Sequence, residues 1–116
     1  MPLDMSDRES LMDMRDFAWE VDTFLLGLNF DILLNSRIHL RAVERSLELL
    51  GEAANRVSAS FRDAHPEIAF REMIGMRNVL AHEYGLIRLE IIWDTAREDL
   101  PRLLEQLKTI LGQDAP

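Results

Sequence analysis

Apolar residues recur at spacings of three and four along nearly the whole chain, and that period restricts what it can build. Leu11, Met14, Ala18, Val21 and Leu25 fall on one face of a helix. They predict a first helix from about Asp7 to Leu26, entered through Ser6 and Glu9 in capping-box spacing. Gly27, Asn29 and Asp31 interrupt the pattern. A long second stripe of Val43, Leu47, Leu50, Ala54 and Val57 then runs to about Arg62, and His65-Pro66 closes it, because a residue before proline is pushed out of helical geometry. A shorter third helix should turn Phe70, Met73 and Ile74 inward. The last, from about Arg88, carries Ile92, Ala96, Leu100, Leu103, Leu107 and Ile110, with Pro101 removing one backbone donor and predicting a kink. No segment alternates like a strand. The expectation is an all-α fold, an up-and-down bundle of four main helices. The 116 residues suffice for one core and form one domain, 1–116.

Several function classes fall away. No apolar run approaches the roughly 20 residues that cross a bilayer, so no membrane partner is expected. The start, MPLDMSDRES, lacks the organisation of a signal peptide, which places the protein in the cytoplasm. The chain has no cysteine, and hence no disulfide or thiolate metal site. No glycine-rich phosphate loop, nucleophile elbow or zinc motif is present. His39 and His65 stand alone, without a second ligand at metal spacing. Trp19 and Trp93 share helical register with apolar neighbours and read as core and interface anchors. Thirteen basic against twenty-one acidic residues give a net charge of −8, which disfavours field-driven binding to DNA and requires any RNA contact to be local.

Polarity concentrates in RNVLAHEY, residues 77–84. A cation, an amide, an imidazole and a phenol in eight positions are costly to bury without partners. On a continuous helix Asn78 and His82 share a face, Arg77 and Tyr84 line up seven apart, and Arg77 lies about 140° from His82 within reach of its long side chain. Two readings stand at this point. The segment is a helix end, where Arg77 finds a carboxylate and His82 caps carbonyls, or it is a polar edge built for chemistry. Nearby, Arg37, Arg41 and Arg45 recur every four residues beside Glu44, Glu48 and Glu52, either as a solvated face of weak ion pairs or as a basic strip for RNA phosphates, with Arg41 and Arg45 as the contacts.

The segments LELLGEAANRV, HPEIAFREMIGMRNVLAHEYG and IIWDTAREDLPRLLEQL, in that order, resemble the HepT family of HEPN-domain proteins over about Leu11 to Leu111. These are ribonuclease toxins of toxin-antitoxin systems, paired with MntA-type minimal nucleotidyltransferase antitoxins. The family motif Arg-x-x-x-x-His-x-Tyr is matched by Arg77, His82 and Tyr84, with Asn78 at a position that is commonly polar. The resemblance implies a HEPN-like bundle that cleaves RNA without metal or cofactor, in a cleft between the protomers of a homodimer. It implies Arg77 and His82 as catalytic residues, Asn78 in support, and Tyr84 as the acceptor of AMP from the antitoxin, within that homodimer or a larger hetero-oligomer. One departure is Arg88, where relatives often place an aspartate that would cap the last helix. The same resemblance also allows a non-catalytic binding subunit of a nucleotidyltransferase, or a helical dimer whose motif has lapsed.

Overall fold

The computed structural model describes residues 3–112. Their regular structure is all helical, in the order α1 (Met5–Phe24), α2 (Phe30–Asn35), α3 (Arg37–Arg56), α4 (Ala59–Ala64), α5 (Phe70–His82), α6 (Gly85–Asp94), a π-helical segment (Thr95–Asp99) and α7 (Leu100–Leu111). The apolar stripes meet in one core. Leu11, Met14, Ala18, Val21 and Leu25 are all at most 2% exposed, and they pack with Val43, Leu47, Leu50 and Ala54 of α3 and with Leu100, Leu103 and Leu107 of α7. No helix among the described residues is long and apolar enough to cross a membrane.

The all-α class holds, while several expected boundaries move, each for a local reason. The cap of α1 is Asp4, whose carboxylate accepts from the backbone N–H groups of Ser6 and Asp7 at 3.1 and 3.3 Å, so Ser6 lies inside the helix and the Ser6–Glu9 box is not the entry. The long second helix is divided. Ser36 is extended and caps α3, and Val57 is extended ahead of Ser58, which caps α4. The second break is fastened from a distance: buried Asp7 accepts from the Ser58 backbone N–H at 2.8 Å and from its hydroxyl at 2.7 Å. This ties the end of α3 to the start of α1.

The third helix buries Phe70, Met73 and Met76, whereas Ile74, expected inside, is only half buried. The last helix begins at Gly85, with Arg88 in its first turn. Around Pro101 it widens into the π segment, where the Leu100 N–H donates to the Thr95 carbonyl five residues back. Proline has no N–H to give and its ring crowds the preceding turn, and the wider turn makes room for it. Trp93 packs edge-on against Phe30 at 5.8 Å with Arg97 over its face, while Trp19 is 39% exposed on the surface of α1 rather than in the core.

Candidate active site

The site is positioned by how closely α5 lies on α3. A Cβ added at Gly51 would stand 2.7 Å from the Met73 carbonyl oxygen, closer than real Cβ atoms come, and 4.0 Å from Cγ of Arg77. Only glycine lets the two backbones approach this far, and the approach lays the stem of Arg77 along α3. Arg77 consequently separates two shallow clefts. One, of about 290 Å³, is lined by Gly51, Asn55, Ile74, Arg77, Asn78 and Ala81. The other, of about 280 Å³, is lined by Glu44, Glu48, Arg77, Leu80, Ala81 and Arg88.

Arg77, Asn78, His82 and Tyr84 are all exposed, and their side chains make no hydrogen bond, ion pair or ring contact with any described residue. The helix-end reading requires a carboxylate on Arg77 and carbonyls under His82, and the structure has neither. α5 stops at His82, followed by Glu83 and Tyr84 in extended geometry and by Gly85 at a φ of +62°. Tyr84 is therefore off the helix, and the seven-residue alignment with Arg77 does not form. Its ring is 75% exposed just before α6. His82 and Tyr84 line neither cleft, so the fold brings together Arg77 and Asn78 and leaves the imidazole on the open surface at the end of α5 and the phenol just beyond it.

The acids beside Arg77 are engaged elsewhere. Glu44, 8% exposed, accepts from Arg41 at 3.1 Å through one oxygen and pairs with Arg88 through the other. Glu48 holds Arg45 at 3.5 Å. Arg88 thus secures the first turn of α6 to α3. Arg41 and Arg45 form i,i+3 pairs with their side chains 60% and 62% exposed, which is the arrangement of a solvated face. His39 lies 2.6 Å from the Ser36 hydroxyl, and His65 bonds Glu67 at 2.9 Å and stacks on Phe61. Among the described residues no group of three or more His, Asp or Glu side chains is placed to hold a metal ion.

Chemically, an unpaired guanidinium offers a planar fork of donors matched to a phosphate. An exposed imidazole can take or give a proton, and an exposed phenol can act as a nucleophile. Sequence reasoning found these groups and missed two that position them. Gly51 interrupts an otherwise strong helical stripe, and a lone glycine there is the signal of a close backbone approach. The Glu44–Arg88 pair joins residues far apart in sequence, and no spacing rule announces it.

The same chain resembles known proteins over most of its length. The family model described as "Ribonuclease HepT-like" matches residues 13–110. A protein of Caldanaerobacter subterraneus subsp. tengcongensis is 36% identical over 88 residues, 76% of this chain and 79% of its own. One of Methanocaldococcus jannaschii is 30% identical over 100 residues, 86% of this chain and 92% of its own. Both carry the name "Putative RNase". A Thermococcus cleftensis protein named "Probable ribonuclease HepT" is 34% identical over 98 residues, 84% of this chain and 89% of its own. No solved structure matches the chain significantly.

Proposed function

Because the chain belongs to the HepT-like ribonuclease family, we propose that it is the toxin of a toxin-antitoxin system, a cytoplasmic endoribonuclease acting as one unit of residues 1–116. The observation that carries this reading is the unpaired Arg77 beside Glu44 and Glu48, both of which are held by other arginines. In the proposed reaction the ribose 2′-hydroxyl loses its proton to His82 and its oxygen attacks the adjacent phosphorus. The bond to the 5′-oxygen breaks, leaving a 2′,3′-cyclic phosphate, and the departing oxygen takes a proton from a second imidazole. General acid–base help of this kind contributes about 10²–10⁴-fold. Arg77 stabilises the charge on the pentacoordinate phosphorus, and Asn78, sharing its cleft, positions the phosphate. No metal or cofactor takes part.

One imidazole cannot be base and acid at once. A symmetric homodimer that sets two His82 side chains across its axis supplies both, since a twofold axis brings each residue opposite its own copy. Arg41 and Arg45, both well exposed, turn to flanking RNA phosphates; the exposed Arg45–Glu48 pair is worth about 0–1 kcal/mol, and Glu44 keeps Arg88 when Arg41 leaves it. Tyr84 receives AMP from an MntA-like antitoxin: its phenol oxygen attacks the α-phosphorus of ATP, pyrophosphate leaves, and the phenolic proton goes to solvent. The adenylate places a negative charge and a bulky group near Arg77 and blocks substrate. Larger hetero-oligomers with the antitoxin are compatible with this chemistry.

The test is cleavage of RNA by the purified protein in chelator, with the new ends mapped: 2′,3′-cyclic phosphate termini are expected, and none with His82→Ala. Peptide mass spectrometry after incubation with antitoxin and ATP should find AMP on Tyr84, the one tyrosine in the chain. The net charge of −8 favours a second reading, a non-catalytic subunit that presents nucleotide to its partner. RNA left intact by a folded dimer would select it.

A further inference from the structure

We propose that Arg62 and Arg71 form a second phosphate-binding site, a groove along α5 that holds the RNA strand flanking the scissile bond. The proposal rests on the ribonuclease reading for the identity of its ligand, while the groove itself rests on separate observations. Arg62 of α4 and Arg71 of α5 line one groove of about 510 Å³ together with Asp63, Ile68 and Ile74. Neither arginine has an ion pair, hydrogen bond or ring contact with any described residue, unlike Arg41, Arg45 and Arg88. Nε of Arg62 is buried without a partner. A cation held partly out of water beside apolar walls, with no counter-charge, gains from an anion brought near it. Asp63 on the same rim pairs with neither arginine and leaves the groove with a net charge of +1 from these three side chains.

The groove adjoins the active-site cleft. Ile74 lines both, and Arg71, Ile74 and Asn78 follow one another at spacings of three and four, along one face of α5. Arg71 stands two turns from Asn78, about 10 Å along the helix axis at 1.5 Å per residue. A strand whose reacting phosphate lies on Arg77 and Asn78 can therefore run along α5 and meet the two free cations with a neighbouring phosphate. In a chain of net charge −8 this gives RNA a local track where the whole surface gives none.

The experiment measures binding of a fluorescent single-stranded RNA by anisotropy, on the full chain carrying His82→Ala to prevent cleavage, over a range of salt. Adding Arg62→Gln and Arg71→Gln should weaken a twelve-nucleotide strand severalfold. It should also lower the slope of log affinity against log salt by about 1.4, at about 0.7 for each cation removed from a single strand's phosphates. A dinucleotide should bind unchanged, and Arg71→Lys should keep most of the slope. Arg71→Gln alone, at an exposed position, provides the same test should the Arg62 change unfold the protein. An unchanged slope and affinity on the long strand would overturn the groove and leave the ribonuclease reading intact. Strong, groove-dependent binding by a parent that never cleaves RNA would uphold the groove and overturn the ribonuclease reading. An equal fall in dinucleotide and twelve-nucleotide binding would also overturn the groove, because it would show a general disturbance of α5.

Discussion

Helices α3 and α5 flank the same clefts and are both rich in charge, yet they use that charge differently. On α3, Glu44 and Glu48 are committed to Arg41, Arg45 and Arg88, and the deepest of these contacts fastens α6 to the bundle. Along the edge of α5 and just beyond its end, Arg77, Asn78, His82 and Tyr84 make no hydrogen bond, ion pair or ring contact with any described residue. Polar groups that a fold needs are satisfied by the fold. A row of them left open, on a helix whose other face is core, is free for a ligand. The difference predicts that stability and activity separate: changes at Arg77 and His82 abolish function and spare the fold, whereas loss of Glu44, which holds Arg88, weakens the fold first.

The largest effect should come from the open edge. Arg77→Ala and His82→Ala should each lower RNA cleavage by about 10²–10³-fold or more. Their urea midpoints should match the parent, because exposed positions without partners usually move stability by no more than about 0.5 kcal/mol. Unfolding of either variant would break the comparison.

Gly51→Ala acts on both sides of it. The new methyl meets the Met73 carbonyl oxygen at 2.7 Å, so α5 must shift and carry Arg77 with it. A stability loss of about 1–3 kcal/mol from overpacking is expected together with reduced cleavage, read by denaturation and by initial rates. A variant as stable and active as the parent would show that the close approach is incidental.

Glu44→Ala should cost about 1–3 kcal/mol, because it leaves the partly buried Arg88 without its acceptor. Arg45→Ala, which breaks an exposed pair on the same helix, should cost at most about 1 kcal/mol. Equal losses in the two would mean that burial does not grade the α3 contacts.

The smallest effect lies away from both helices. The backbone N–H at Glu67 and then the His65 ring hold the Glu67 carboxyl below its ordinary range. A depressed carboxyl stabilises the fold above its unfolded pKa and loses that contribution as pH falls through its folded one. The melting temperature of the parent should therefore slightly exceed that of Glu67→Gln at neutral pH, with the difference vanishing in acid. A difference that grows on acidification would contradict the assignment.

How much of this was legible in the sequence follows from the range of the interactions. The core stripe Leu11–Met14–Ala18–Val21–Leu25 is a local period and reads directly. The polar motif reads too, since its oddity is that four polar residues fall in eight positions. The division of the second helix at Val57–Ser58 does not, because the serine cap is held by Asp7, 51 positions away. Asp4 displaced Ser6 as the first cap because the competing acceptors lie two residues apart and only the entering backbone chooses between them. Tyr84 left the helix because the backbone turns extended at Glu83 and Tyr84 after His82, a break that a spacing argument carries straight through. The engagement of Glu44 by Arg88, which leaves Arg77 open, needed the fold.

The most direct measurement is therefore of the arginines themselves. Titrating the folded protein with a non-cleavable 2′-O-methyl RNA strand while recording arginine Nε–Hε resonances compares α5 with the α3 pairs in one sample. The Arg77 signal should move with the first additions, and the Arg88 signal, held on Glu44, should stay in place. A displaced Arg88 with Arg77 unmoved at saturating RNA would contradict it.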